Sequence, residues 1–251
     1  MGEKIELLIP TDWEDISIGM YQDFMELQEK KLPEDEMIVS VVCVLCNVDK
    51  EKLVRFKYKD LKDISSTLIK FLNKKPEEKE LVKKVDFKGK KYGMIPNLSS
   101  ISLGEFVDIE EHCKHSHKNL HKIMSVLYRP IVKEKGTRYS IEGYNPDEYK
   151  EDMFKDFPIL VSLSALSFFF SFREKTSSHF KQIFSAGTGE ESAEASAISE
   201  KWGWYNIVFG LANDTILNIE AVTKLELYLV LTYMSYQQDK IGVQQSNYNK
   251  F

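Results

Sequence analysis

Ile16-Ser17-Ile18-Gly19-Met20-Tyr21-Gln22-Asp23-Phe24 returns 85 residues on as Ile101-Ser102-Leu103-Gly104-Glu105-Phe106-Val107-Asp108-Ile109. The same offset carries Ile38-Val39-Ser40-Val41-Val42 onto Ile123-Met124-Ser125-Val126-Leu127, and Ile9-Pro10 recurs as Ile95-Pro96, one residue out of step. A single offset kept across two separated blocks marks two copies of one unit: an Ile-Pro entry, a capped amphipathic helix, a loop and a buried helix. The serine before each apolar stripe caps the first turn. The flanking Ile or Leu acts as a hydrophobic staple, and the glycine lets the chain turn or pack closely. After the second helix the copies part, one running into Asn47-Val48-Asp49 and the other into Tyr128-Arg129-Pro130-Ile131. A two-copy helical-hairpin array supplies scaffold and surface, which favours binding over a catalytic cleft; the alternative is a bare fossil of duplication.

Outward from the repeat, periodicity predicts a mainly α protein, a helical bundle containing the two hairpin units. Tyr21, Phe24, Met25 and Leu27 or Gln28 form one stripe, ended by Pro33; Met37–Cys46 is apolar nearly all round and therefore central. Leu53–Phe56 and Leu61–Leu72 suggest two more helices. Residues 81–95, with Lys88-Gly89 at their middle, read as a small β-hairpin. Beyond it come helices at Leu103–Cys113 and Leu120–Leu127, an irregular stretch over 130–145, a helix at Pro146–Phe154 and a long apolar helix at Pro158–Phe184, the last two opened by a proline. Residues 185–199 are small and acidic, the pattern of a linker or mobile loop. Trp202–Leu211 and Ala221–Tyr236 read as two packed helices docked on the long one, and Gln244–Phe251 as a polar tail, free or ordered by a partner. The expected divisions are 1–75 for the first unit, 76–143 for the hairpin and second unit, and 144–251 for the C-terminal helices.

The 251 residues carry 34 basic and 39 acidic side chains, a net charge of −5, with 43% apolar and 12% aromatic residues. That balance suits a globular chain and is of the wrong sign for one whose main task is gripping a nucleic-acid backbone. It hides an asymmetry. Residues 1–49 hold 3 basic and 12 acidic groups, and residues 50–91 hold 15 and 7. Such polarity suits head-to-tail contact or an acidic partner, or simply gives solvated helix faces. Three cysteines and the absence of a leader pattern point to a reducing cytoplasm. Cys43 and Cys46 match C-x-x-C but sit in an apolar run with no base beside them, so both read as core. Phe157–Phe172 is uncharged yet too short to span a bilayer, and Ser164, Ser167 and Ser171 give it one polar stripe, for close approach of a helix or for a wetter face.

Four of the five histidines crowd into His112-Cys113-Lys114-His115-Ser116-His117-Lys118-Asn119-Leu120-His121. His117 and His121 stand at i, i+4, with Cys113 or His112 available to close a zinc shell. The interspersed lysines and the lack of an H-E-x-x-H arrangement favour instead an exposed, partly protonated loop between the repeat helices. No phosphate-binding loop or nucleophile elbow is present, and Gly187-Thr188-Gly189 lies in the acidic linker. No residues are assigned as catalytic, cofactor-binding or metal-binding, and no cofactor is implied. Phe168-Phe169-Phe170 and Trp202-Gly203-Trp204-Tyr205 read as core. Tyr128-Arg129-Pro130 is either a contact point or a helix end whose carbonyls Arg129 satisfies.

The stretches Ile9-Pro10-x-x-Trp13-x-x-Ile16-Ser17, Asn119–Pro130 and Trp202-Gly203-Trp204 through Asp214 give the chain a likeness to a known group. It resembles small helical proteins encoded among the virion and assembly genes of tailed bacteriophages, especially crAss-like phages of Bacteroidales. The resemblance implies a non-enzymatic, virion-associated protein, either packaged cargo or a portal- or tail-proximal component. Such a protein binds portal, tail or capsid proteins, with self-association open and with nucleic acid and membrane disfavoured. It would reside in the virion and, during assembly, in the host cytoplasm. A non-structural assembly chaperone is the alternative, and a metal-dependent enzyme at His112–His121 the remote one.

Overall fold

The computed structural model describes residues 7–77, 80–146, 151–185 and 201–248. It is a mainly α bundle with a small antiparallel sheet. Both copies open on a 3-10 turn, Trp13–Asp15 and Leu98–Ser100, 85 residues apart. Each then runs through a hairpin: α1 (Ile18–Glu29) and α2 (Glu34–Leu45) in the first, α5 (Leu103–Cys113) and α6 (Ser116–Leu127) in the second. Ser17 caps α1 by accepting from the Met20 amide, and Ser102 caps α5 from the Glu105 amide. Between the hairpins lie α3 (Lys50–Leu53) and α4 (Tyr58–Leu72), the latter packed on α2. The helix read from Met37 begins earlier, at Glu34, because Glu34, Asp35 and Glu36 are well placed against the positive end of the helix dipole.

The repeated serine has a second role that local pattern does not reveal. Ser17 forms an isolated antiparallel bridge with Pro158, the Ile18 amide donating to Phe157 O (2.9 Å) and the Ile159 amide to Ile16 O (3.0 Å). Ser102 does the same with Glu226, Leu103 N–H reaching Leu225 O (2.8 Å) and Leu227 N–H reaching Ile101 O (2.9 Å). A long helix follows each bridge at once: α7 (Ile159–His179) and α11 (Leu227–Tyr248). Each unit is therefore completed by a helix from the C-terminal part of the chain. The repeated glycine serves the same junction by close packing rather than by a turn. A Cβ on Gly19 would lie 3.1 Å from Lys155 O, and one on Gly104 would lie 3.0 Å from Thr223 Cβ. Lys155 and Thr223 each stand three residues before their bridge.

This junction corrects two helix boundaries. Ala221–Tyr236 is not one helix: α10 (Ile216–Thr223) ends and α11 starts after residues 224–226, where Leu225 O accepts from the Leu103 amide and the Leu227 amide donates to Ile101 O. The segment before Pro158 is a 3-10 turn, Glu151–Asp156, since a residue ahead of proline leaves the helical region; residues 147–150 of the expected 146–154 helix lie outside the described residues. The long helix breaks at Phe180, leaving the short α8 (Lys181–Ser185), and α9 covers Trp204–Leu211. The linker 185–199 falls outside the described residues except for Ser185. The polar tail is helical through Tyr248 as the end of α11.

The hairpin is present as β1 (Lys84–Phe87) and β2 (Lys90–Met94), turning at Lys88 and Gly89, both at positive φ, which suits the twist of a two-residue loop. Of the stretch 130–145 only residues 142–145 are irregular. The rest forms β3 (Tyr128–Lys135) and β4 (Arg138–Ile141), extending the sheet in the order β1-β2-β3-β4. Its Lys- and Glu-rich outer half is exposed and carries no apolar alternation, which hid it; what recruits it is pairing of Tyr128 with Met94 and Arg129 with Gly93. Tyr139 lies across Gly93, where a Cβ would come within 2.4 Å of its ring. Phe87, Tyr92, Tyr128, Phe154 and Phe157, with ring centroids 5.0–5.8 Å apart, tie the sheet to the first bridge.

Candidate functional site

Where β3 and α5 meet, two side chains are buried as ions. Arg129 Nη2 lies 2.6 Å from Glu105 Oε1, with 6% and 9% of the side chains exposed. The capping box brings Glu105 there: its Oε2 accepts from the Ser102 amide and hydroxyl, both at 2.8 Å. With three donors on the carboxylate the charge is compensated, as a buried ion requires. Arg129 Nε has no hydrogen-bond partner among the described residues, and the Arg129 guanidinium lies 5.7 Å from the centroid of the Tyr144 ring. Tyr144 in turn donates its hydroxyl to Asp108 Oδ2 at 2.7 Å. Burial pushes the Asp108 carboxyl up from its ordinary value and drives the Tyr144 phenol far up. Arg129 is thus neither a surface contact nor a cap on α6; it is the buried partner of Glu105.

These groups line a cleft of about 900 Å³ between α5, α10 and the segment that follows β4. Its polar groups hold one another. The Ser102 hydroxyl is committed to the cap, Glu105 to its three donors and Lys224 to Glu220 at 2.6 Å.

A second surface is apolar. Along α11, Leu229, Tyr233, Tyr236 and Val243 are 58%, 49%, 60% and 62% exposed, while Leu227, Val230 and Leu231 are buried. Spacings of 4, 3 and 7 put the four on one stripe, the pattern by which a helix receives another helix.

The histidine cluster is dispersed rather than looped out. His112 lies in α5, and His121 is buried in α6 with Nδ1 3.1 Å from Gln22 Oε1; burial pushes both below the ordinary imidazole value. His117 Nε2 is 3.6 Å from Glu29. The expected exposed loop is thereby shortened: the chain leaves helix only briefly, at the exposed Lys114 and His115, and the ends of the cluster face neighbouring elements. Among the described residues no three His, Cys, Asp or Glu side chains converge as metal ligands. The three cysteines are free, and burial raises all three thiols, Cys46 to about 11 and Cys113 to about 12.

Of the phenylalanine run only Phe169 is core; Phe168 and Phe170 are exposed, because adjacent helical positions cannot all face inward. Phe168 and the three serines line a groove of about 350 Å³ facing Pro76 and Leu81. Trp204 packs edge-on against Phe106 at 5.0 Å, whereas Trp202 is exposed. The basic block 50–91 is partly neutralised within the molecule, Lys62 by Glu34, Lys84 and Lys91 by Glu134, and Lys88 by Asp156. No described helix is long and apolar enough to cross a membrane. Gly187-Thr188-Gly189 lies outside the described residues. Comparison with protein-family models, with curated proteins and with solved structures gives no match.

The sequence reading missed Glu105, Asp108 and Tyr144. A signal was available: the second copy places Glu105 where the first has Met20, and S-x-x-E at Ser102–Glu105 is a capping box.

Proposed function

We propose that this chain is a non-enzymatic helical scaffold of a tailed-bacteriophage particle, packaged as cargo or seated near the portal or tail, that binds other phage proteins. The observation that carries the binding role is the apolar stripe on α11, since a soluble chain keeps such a helix face bare chiefly for a partner. The phage setting rests on the resemblance of Ile9–Ser17, Asn119–Pro130 and Trp202–Asp214 to virion and assembly proteins of that group. Quantitative peptide mass spectrometry on gradient-purified virions and on the infected-cell lysate tests it. A fixed copy number relative to the major capsid protein is expected. Abundance in the lysate with none in virions would identify an assembly chaperone instead and overturn the reading.

A further inference from the structure

Among the described residues the two copies differ in how one groove is filled. In the first, the groove between α1 and the 151–156 turn is filled by α6. Gln22 Nε2 donates to His117 O (2.9 Å) and Lys118 O (2.7 Å) at the start of that helix, and its Oε1 meets His121. Lys118 pairs with Glu29 at 3.1 Å and Lys122 with Glu151 at 3.5 Å. A basic helix side, its small Ser125 buried, thus lies in an acidic groove.

The repeat transfers this groove to the second copy. Gly19, Gln22 and Asp23 correspond to Gly104, Val107 and Asp108, and Lys155 corresponds to Thr223, because Gly19 meets Lys155 as Gly104 meets Thr223. All four of these second-copy residues line the 900 Å³ cleft. Where the first copy holds α6, the described residues of the second leave open space. A helix about 10 Å across and rising 1.5 Å per residue fills about 120 Å³ per residue, so the cleft takes about two turns. With Arg129 neutralised by Glu105 and Lys224 by Glu220, the acids left without a cation among the described residues are Asp108 and the exposed Glu142.

We infer that the cleft between α5 and α10 is the docking site for one α-helix of a partner protein, presenting small residues and Lys, Arg or His on its buried side. The inference rests on the reading of the chain as a binding scaffold and names the partner's chemistry. A second copy of the chain fits less well. Its own counterpart of α6 is α2, which sets Glu36 where α6 has His121 and brings Glu34 and Asp35 beside it, acid against acid.

The probe is a fluorescently labelled, helix-stabilised peptide of residues 115–127, the chain's own groove-filling helix, titrated with the full chain and read by anisotropy. Saturable binding is expected, weakened at least about tenfold by Thr223→Arg, which obstructs the cleft, and weakened also by Glu142→Lys, a change at an exposed residue that leaves the fold intact. Absence of saturable binding, or binding indifferent to both variants, would overturn the inference. So would concentration-dependent self-association in sedimentation that Thr223→Arg abolishes, since it would make the second copy the occupant. Virion copy number is measured separately, so a particle component that ignores the peptide refutes the docking helix alone.

Discussion

Met20 in the first unit and Glu105 in the second occupy the same place in the repeat, two residues into a helix capped by serine and tied by a bridge to a later long helix. Around Met20 the unit is held by apolar packing. Around Glu105 it is held by an ion pair with Arg129, whose repeat counterpart is Val44. Val44 is still helical, whereas α6 has already ended at Leu127 and Arg129 lies in β3. Ending the helix three residues sooner turns the chain into the sheet and delivers a guanidinium to the carboxylate. One backbone plan therefore tolerates two kinds of interior, and the difference lies in where the second helix stops.

Exchanging the interiors is the most severe test. Arg129→Val strands a buried carboxylate and is expected to cost about 3–5 kcal/mol in urea unfolding, whereas Glu105→Met with Arg129→Val, which writes the first unit's residues into the second, recovers most of that. A double variant as unstable as the single one would mean that the two interiors are not interchangeable. Next in size, valine at Gly19 or Gly104 pushes apart the helix and its bridging segment, at a cost of about 2 kcal/mol each; a loss at one site only would show that just one junction is tightly packed. Removing the caps gives a smaller contrast. Ser17→Ala should cost about 1 kcal/mol, and Ser102→Ala somewhat more because its hydroxyl also holds Glu105.

The smallest effect is one of pH at the contact between units. Burial lowers the folded pKa of His121, with Lys155 and Lys122 acting in the same sense and Glu151 and Asp152 against it. The unfolded chain therefore binds the proton more tightly. The stability contributed by the neutral ring is full above the unfolded pKa of about 6.5 and is lost as pH falls through the folded value. Denaturation midpoints at pH 7.5 and 5 should separate less in His121→Gln than in the unaltered chain, and an equal separation would remove His121 from the account.

Pattern along the chain revealed what depends on neighbours. Periodicity located α1, α2 and α4–α6, the Lys88-Gly89 turn marked the hairpin, and the constant offset exposed the repeat. It was silent on partners far apart in sequence. Nothing local in Phe157-Pro158-Ile159 or Leu225-Glu226-Leu227 announces that both pair with the repeated serine, and the polar outer half of β3–β4 lacks the alternation by which strands are recognised. The Glu105–Arg129 pair was half visible, as a capping box on one side and an arginine after a helix on the other. Joining them required the register of β2 on β3.

The bridge from Ile18 to Phe157 also sets an order of events on the ribosome. At about 5–20 residues per second, roughly 7–28 s separate the emergence of the two strands of that bridge. Through that interval the first hairpin waits without the helix that completes it, and the second hairpin waits again for Leu225. An interrupted nascent chain ending before residue 157 leaves Ile16 and Ile18 without their partners. A host chaperone that shields nascent apolar segments would find its longest engagement with α1 and α2, released once α7 has been made, while release of the second unit would wait for Leu225 and α11 in the last quarter of the chain.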